Sequence, residues 1–224
     1  PIAWRNIDNA GPAGSINSNV LEMAAWVRMH LAEGSFQGSQ VLPARAVSDM
    51  QVNRTLIRRE GGWTLMTPAS RFMTYGLGWF MNDYRGRLVV QHGGNIDGMH
   101  ALVGMMPEEE VGIVILTNLP NHLTYATMYR VFDLYLGGEQ TDWSARLMAS
   151  RDSMQVAGRR AQEAFEADRA EGTSPSLAPS GYVGDYRHPM YGHARVVEEA
   201  GSLVLTRGPA FVGDLEHWHH DTFR

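Results

Sequence analysis

Between residues 87 and 116 three apolar, β-forming runs follow one another with only short breaks, and this spacing leaves few folds open. Arg87-Leu88-Val89-Val90-Gln91 leads into His92-Gly93-Gly94-Asn95, then Leu102-Val103-Gly104-Met105-Met106. Pro107-Glu108-Glu109-Glu110 follows, and after it Val111-Gly112-Ile113-Val114-Ile115-Leu116. Runs of large and β-branched residues separated by Gly, Pro and acidic clusters read as strands joined by turns. The expectation is a three-stranded antiparallel meander, with the glycine-rich break at His92-Gly93-Gly94 as its first turn. Glycines at a strand end leave the backbone without side-chain bulk, so a ligand carbonyl can lie along that edge and reach its N–H groups. The His92 imidazole beside them can donate, accept or carry charge near neutral pH. His92, Gly93 and Gly94 are therefore candidate substrate-binding residues, with Asn95 next along the same edge. A lone His-Gly-Gly has a simpler reading, a turn that the glycines permit and the histidine caps.

The flanking segments supply helices. Ser18 or Asn19 can cap a helix running to about Leu31, with Val20, Met23, Ala24, Val27 and Leu31 on one face and Gly34 closing it. Leu42 to Asn53 suggests a short helix after Pro43, and Gly61 to Ser70 reads as loop before Tyr75-Gly76-Leu77-Gly78-Trp79-Phe80 enters the sheet. A helix from about Tyr125 to Leu136 packs Met128, Val131, Phe132 and Tyr135, and Gly137-Gly138 ends it. Trp143 to about Ala170 reads as a long charged helix, a surface spacer rather than a catalytic element.

Residues 172–181, Gly-Thr-Ser-Pro-Ser-Leu-Ala-Pro-Ser-Gly, have linker composition. Beyond them Tyr182-Val183-Gly184-Asp185-Tyr186 opens a β segment. Ala194-Arg195-Val196-Val197-Glu198 and Ser202-Leu203-Val204-Leu205-Thr206 form a hairpin around Glu199-Ala200-Gly201. His217 and His219 share one face of an extended strand and, with Asp214, Glu216 or Asp221, could approach an ion. Four-coordinate zinc needs further ligands, and a polar strand edge with aromatic packing at Trp218 accounts for the run without metal. No metal or cofactor is expected. His188 and His193 flank a turn at Pro189 and Gly192 and receive no role.

Composition excludes several classes. The net charge of −5 argues against nucleic acid as a partner, and the pairs Arg58-Arg59 and Arg159-Arg160 read as solvated surface. With Cys 0, disulfides, thiolate catalysis and Cys-ligated zinc are absent. All 19 basic residues are arginine, so P-loop nucleotide binding and a pyridoxal Schiff base, which need lysine, are excluded as well. No apolar run is long enough for a membrane span, and no basic-then-apolar signal peptide follows Pro1.

Ala13-Gly14-Ser15-Ile16-Asn17-Ser18, Tyr75-Gly76-Leu77-Gly78-Trp79, His92-Gly93-Gly94 and Val114-Ile115-Leu116-Thr117-Asn118 stand in an order and spacing that resembles the serine hydrolases of the class C β-lactamase and penicillin-binding-protein type. The resemblance covers roughly the first 140 residues. It implies an α+β fold, an antiparallel sheet flanked by helices, here incomplete because the helical subdomain carrying the nucleophile is missing. His92-Gly93-Gly94 corresponds to the family's Lys-Thr-Gly strand, which esterase- and peptidase-like members replace with His-x-Gly. His92 and Asn95 are thereby implied as catalytic residues, the Asn95 backbone N–H helping to form the oxyanion hole. After residue 182 the chain resembles the start of the lipocalin-like β-barrel appended to many of these hydrolases.

The family's Ser-x-x-Lys pair, in which the amine takes or relays the serine's proton, cannot exist in a lysine-free chain. None of the 8 tyrosines begins a Tyr-x-Asn. Ser15-Ile16-Asn17 fits Ser-x-Asn by letters, but its neighbours align with a later segment of the family. The expected organisation is therefore 1–140 as the C-terminal part of a hydrolase domain, 141–181 as helical spacer and linker, and 182–224 as a partial β-barrel. Two functions compete. One is part of a serine hydrolase acting on an amide, ester or β-lactam, its small-molecule or peptide substrate shared with an N-terminal part of the domain. The other is a non-catalytic binding or regulatory module that keeps the groove. Family members acting on cell-wall peptides or secreted substrates imply an extracytoplasmic (periplasmic or secreted) setting. Unpaired strand edges imply marginal stability or self-association.

Overall fold

The computed structural model describes residues 6–119, 121, 123–209 and 211–224. The chain divides into two compact units between Gln155 and Val156. In the first, helices α1 (Val20–Leu31), α2 (Ala44–Met50), α3 (Trp63–Met66) and α4 (Leu123–Leu136) accompany a six-stranded sheet. Its strands are β1 (Thr55–Leu56), β2 (Met73–Tyr75), β3 (Phe80–Tyr84), β4 (Arg87–Ile96), β5 (Met99–Met106) and β6 (Val111–Thr117). All are antiparallel and lie side by side in chain order. The expected meander is thus β4–β6.

Its first turn lies elsewhere than expected. His92, Gly93, Gly94 and Asn95 are all in β4, paired with Val103, Leu102, Ala101 and His100. The chain reverses instead at Asp97-Gly98, both at positive φ (46° and 84°). A two-residue hairpin with a type I′ turn, whose twist matches its strands, needs positive φ at both central residues, which Asp-Gly adopts readily. Gly93 and Gly94 merely lack side chains. The Arg85-Gly86 turn before β4 has the same form (49° and 76°).

Helix α1 begins where Asn19 accepts hydrogen bonds from the N–H groups of Leu21 (3.0 Å) and Glu22 (3.1 Å). Such a cap contributes about 1 kcal/mol. Val27 and Met23 pack on Met81, Val90, Val103 and Met105. Val20, expected on that face, is exposed in the first turn. On the opposite face Met128, Tyr129 and Phe132 of α4 meet Tyr84, Val89, Leu102 and Met106. Val131 is only half-buried and Tyr135 is exposed, so the buried stripe of α4 is narrower than its apolar spacing suggested. Glycine permits both close approaches: a Cβ on Gly112 would collide with Val27, and one on Gly104 with Met128.

The segment expected as loop before Tyr75 contains α3, and Arg59 is no free surface charge. Its guanidinium donates to the Thr67 carbonyl (2.7 Å) and hydroxyl (3.2 Å). Helix α5 spans Trp143–Ala167, and its first turns are structural: Trp143 and Leu147 are buried in the α4 core. The Asp133 carboxylate, fully buried, accepts from Tyr84 and from the Trp143 indole and pairs with Arg85. Burial, reinforced by Asp133, holds the Tyr84 phenol well above its ordinary pKa.

The second unit holds strands β7 (Gly184–His188), β8 (Gly192–Glu199), β9 (Ser202–Arg207) and β10 (Phe211–Leu215), then β11 (His217–His219) and β12 (Thr222–Phe223). The four longer strands form an open antiparallel sheet in the order β10-β9-β8-β7. The expected hairpin is β8–β9, closed by Ala200-Gly201 at φ 50° and 83°. Trp218 is buried, its ring stacked on Phe165 at 5.2 Å with the guanidinium groups of Arg169 and Arg224 over it. His217 Nε2 lies 2.8 Å from the His220 carbonyl, within this local turn. Asp221 accepts from the Ser176 N–H (2.6 Å) and hydroxyl (2.8 Å) and from Tyr182 (2.5 Å). These bonds tie the strand end to the linker.

Candidate active site

Strand β4 outruns its neighbour. Pairing between β3 and β4 starts at Tyr84↔Arg87 and ends at Phe80↔Gln91. Beyond that rung His92 to Ile96 keep β5 on one side, and among the described residues no strand pairs with them on the other. Unpaired N–H and C=O groups of this kind are a template for an extended ligand. The rung itself is anchored from below, since the buried Gln91 amide donates to Asn82 (2.6 Å), which donates to Ser70 (2.8 Å).

The Tyr75-Gly76-Leu77-Gly78-Trp79 motif shapes the wall beside this edge. The Gly76 N–H donates to the Trp79 carbonyl (2.9 Å), Gly78 sits at φ 77°, and a Cβ on Gly76 would strike the Met50 carbonyl. This turn returns the chain so that Tyr75 pairs with Phe80. Tyr75 Oη lies 3.1 Å from His92 Nε2. The Phe80 ring stacks on the imidazole at 5.2 Å and meets Tyr75 edge-on at 4.5 Å. Trp63 extends the cluster, 5.1 Å from Phe80.

Burial lowers the His92 pKa below its ordinary value, and a hydrogen bond to the Gly93 backbone partly opposes that. The ring is therefore neutral at pH 7, with one N–H and one lone pair for hydrogen bonding. The two glycines differ. A Cβ at Gly93 would meet the Ala101 carbonyl (3.0 Å), Leu102 Cδ1 (3.2 Å) and Tyr125 Oη (3.2 Å). At Gly94 nothing lies within 4 Å, so its missing side chain leaves open space over the free edge. Asn95 is exposed one residue further along that edge.

All the residues expected at the site, His92, Gly93, Gly94 and Asn95, thus lie in one strand. Tyr75 and Phe80 join them, although sequence reasoning placed these two only as sheet residues. The signal was the length of the Gly76–Trp79 turn, which makes them neighbours. Among the described residues no serine or threonine hydroxyl hydrogen-bonds to His92, and no group of three His, Asp or Glu side chains is arranged for a metal. Among the described residues the Ser15 and Asn17 side chains donate to nearby backbone carbonyls, those of Gly11 and Ser15. Two grooves of about 510 and 440 Å³ are lined by parts of α4, α5 and the β3–β4 turn, and neither touches His92 to Asn95. No described helix is long and apolar enough to cross a membrane.

The β-lactamase family model matches residues 2–135, the segment that contains the meander and the His-Gly-Gly strand. The chain belongs to the β-lactamase family. A second model, a domain of unknown function (DUF3471), matches residues 168–224. Among curated proteins the chain is similar to "Unguisins hydrolase ungD" of Aspergillus violaceofuscus, 28% identical over 93% of the chain. It is also similar to "Unguisins hydrolase ungD'" of Aspergillus campestris, 25% identical over 92%. It spans 39% of the length of each. The octameric penicillin-binding protein homologue from Pyrococcus abyssi overlaps 88% of this chain and 36% of its own, at 16% identity and a TM-score of 0.46. That likeness is too slight to bear on the fold.

Proposed function

We propose that this β-lactamase-family chain is the C-terminal portion of a serine hydrolase that cleaves an amide, ester or β-lactam through an acyl-enzyme. The serine, lysine and tyrosine of that chemistry come from sequence preceding it. The observation that carries this reading is the free edge of β4 beyond the Phe80↔Gln91 rung, with neutral His92 at its start and empty space over Gly94. A substrate backbone laid on that edge has its carbonyl within reach of strand N–H groups, including that of Asn95, where charge developing on oxygen is stabilised. His92 supplies a hydrogen bond to substrate or relays a proton. The names of the two Aspergillus relatives support hydrolysis, and the imidazole in place of a lysine favours a peptide or ester over a β-lactam.

The test is His92→Ala in the complete protein. kcat/KM should fall by about two to four orders of magnitude with thermal stability nearly unchanged. Asn95→Pro should be comparably harmful, because it removes a backbone N–H. Full activity of a folded His92→Ala enzyme would reduce the histidine to a packing residue.

The absence of lysine favours a second reading, a binding or regulatory module that keeps the strand edge without the chemistry. A Ser-x-x-Lys pair and a Tyr-x-Asn encoded upstream decide for the enzyme. Their absence from the whole gene decides for the module.

A further inference from the structure

Three described tyrosines, Tyr84, Tyr125 and Tyr129, are buried, and their hydroxyls differ in what they meet. Tyr84 donates to Asp133, and Tyr129 donates to the Met66 carbonyl at 2.9 Å. Tyr125, only 4% exposed, has no hydrogen-bond partner among the described residues. A buried phenol ordinarily finds one, because an O–H taken from water without replacement costs free energy. Unlike the partnerless Gln91 amide oxygen, the Tyr125 oxygen is not sealed from solvent. Burial raises the pKa of the phenol, so at pH 7 it keeps its proton and can donate.

Its place follows from the start of α4. The Asn121 side chain accepts from the Leu123 N–H (2.8 Å), and the Asn121 carbonyl lies 2.9 Å from Nδ1 of His100, the residue of β5 paired with Asn95. Tyr125 Oη then stands 3.2 Å from the point where a Gly93 Cβ would begin, and the Ala101 carbonyl oxygen stands 3.0 Å from the same point. Glycine at 93 leaves the hydroxyl uncovered on that side. A ligand strand paired on the free edge of β4 puts the side chain opposite Gly93 on the same face, its Cβ about 4.5–5.5 Å from the Gly93 position. A short polar side chain spans that gap. The nearest atoms it meets are a phenol that donates, a carbonyl that accepts and the Leu102 Cδ1 methyl, none of them cationic. A group that both accepts and donates suits this pair, whereas a carboxylate would face the carbonyl with no positive charge to offset it.

We propose that Tyr125 selects the ligand: its hydroxyl hydrogen-bonds the side chain opposite Gly93 and favours a hydroxyl or carboxamide there over a carboxylate or a hydrocarbon. This rests on the reading of the free β4 edge as the place where an extended ligand lies. It holds whether that ligand is cleaved or only bound.

Binding of short peptides to the 224-residue chain, followed by NMR titration, tests this without any turnover. The probes are pentaalanine, acetylated and amidated at its ends, and its variants with Asn, Asp or Leu, three side chains of nearly one shape, at each position in turn. At the position opposite Gly93, Asn should bind about three- to tenfold more tightly than Leu, the size of one net neutral hydrogen bond, and more tightly than Asp. Tyr125→Phe should erase the preference for Asn over Leu and leave the affinity of the Leu peptide unchanged. Tyr129→Phe, whose hydroxyl is already engaged by Met66, should keep the preference. An unaltered chain that favours Asn at no position overturns the proposal, and this needs no variant to fold. Failure of every peptide to bind overturns it as well, and so does a Tyr125→Phe chain that retains the preference. Activity of His92→Ala in the complete protein reports separately on hydrolysis, so either can fail while the other stands.

Discussion

Asp133 accepts a hydrogen bond from the Trp143 indole at 2.7 Å while its other oxygen takes the Tyr84 hydroxyl and the Arg85 guanidinium. One fully buried carboxylate thus joins β3, α4 and the start of α5. Removing one member of a buried charged network leaves the others desolvated and unpaired, at a cost of about 3–5 kcal/mol. Asp133→Ala should therefore lower the stability of the first unit by that order, read as a fall in the urea midpoint. A change within the error of the midpoint would mean that water replaces the carboxylate.

The glycines of the His-Gly-Gly strand should separate fold from function. Gly93→Ala places a methyl against Ala101, Leu102 and Tyr125 and should destabilise by about 1–3 kcal/mol. Gly94→Ala meets open space and should be neutral or stabilise by about 0.4–1 kcal/mol, while lowering kcat/KM in the complete protein. Calorimetry and kinetics on the pair decide this. Equal losses of stability would show that Gly94 serves packing.

The isolated chain should show no acyl-enzyme turnover of nitrocefin, p-nitrophenyl esters or D-alanyl peptides above background, since it has no lysine to activate a serine. Stoichiometric serine labelling with a product burst would move the active site away from where it is placed here.

His30 should give the first unit an acid limb. It is buried between Trp26 (4.5 Å) and Trp79 (5.1 Å), and neither ring nitrogen has a hydrogen-bond partner among the described residues. Burial lowers its pKa from 6.5. Below pH 6.5 the unfolded chain binds the proton more readily than the folded one, so this stability is present above that pH and declines as pH falls. His30→Leu should flatten the decline and raise stability by about 1–3 kcal/mol, the cost of an unsatisfied buried polar group. A variant with an unchanged pH profile would place the acid sensitivity elsewhere.

The outer strand β10 of the second unit is exposed from Phe211 to Asp214, with Phe211 and Val212 at 68% and 63%. Exposed apolar edges pair with one another. The sedimentation coefficient should rise with concentration, and Val212→Lys should suppress that rise. A variant that associates as strongly as the unaltered chain would clear this edge.

The elements that could be read from the chain were those whose cause is local. Asn19 caps α1 because its side chain reaches N–H groups two and three residues on, and Ala200-Gly201 closes its hairpin through its own φ angles. The first turn of the meander lies at Asp97-Gly98, whose own φ angles reverse the chain, and not at Gly93-Gly94, which stay paired within β4. The rest depends on distant partners. Trp143 reads as the start of a surface helix until Asp133 and the α4 core surround it. The candidate site was visible as His92, Gly93, Gly94 and Asn95. Its phenol was not, since Tyr75 and His92 meet only through the register of β2, β3 and β4.

The side-by-side, in-order arrangement of β1 to β6 also bears on how the chain folds. From β2 onward each strand finds its partner across a turn of two to four residues, so no long loop has to close before these pairings form, and hairpins of this kind form in about 1–10 μs. During synthesis a strand leaving the ribosome meets a neighbour already in place. The edge at His92 to Ile96 is therefore laid down as β4 pairs with β5, a local event that waits for no distant part of the chain.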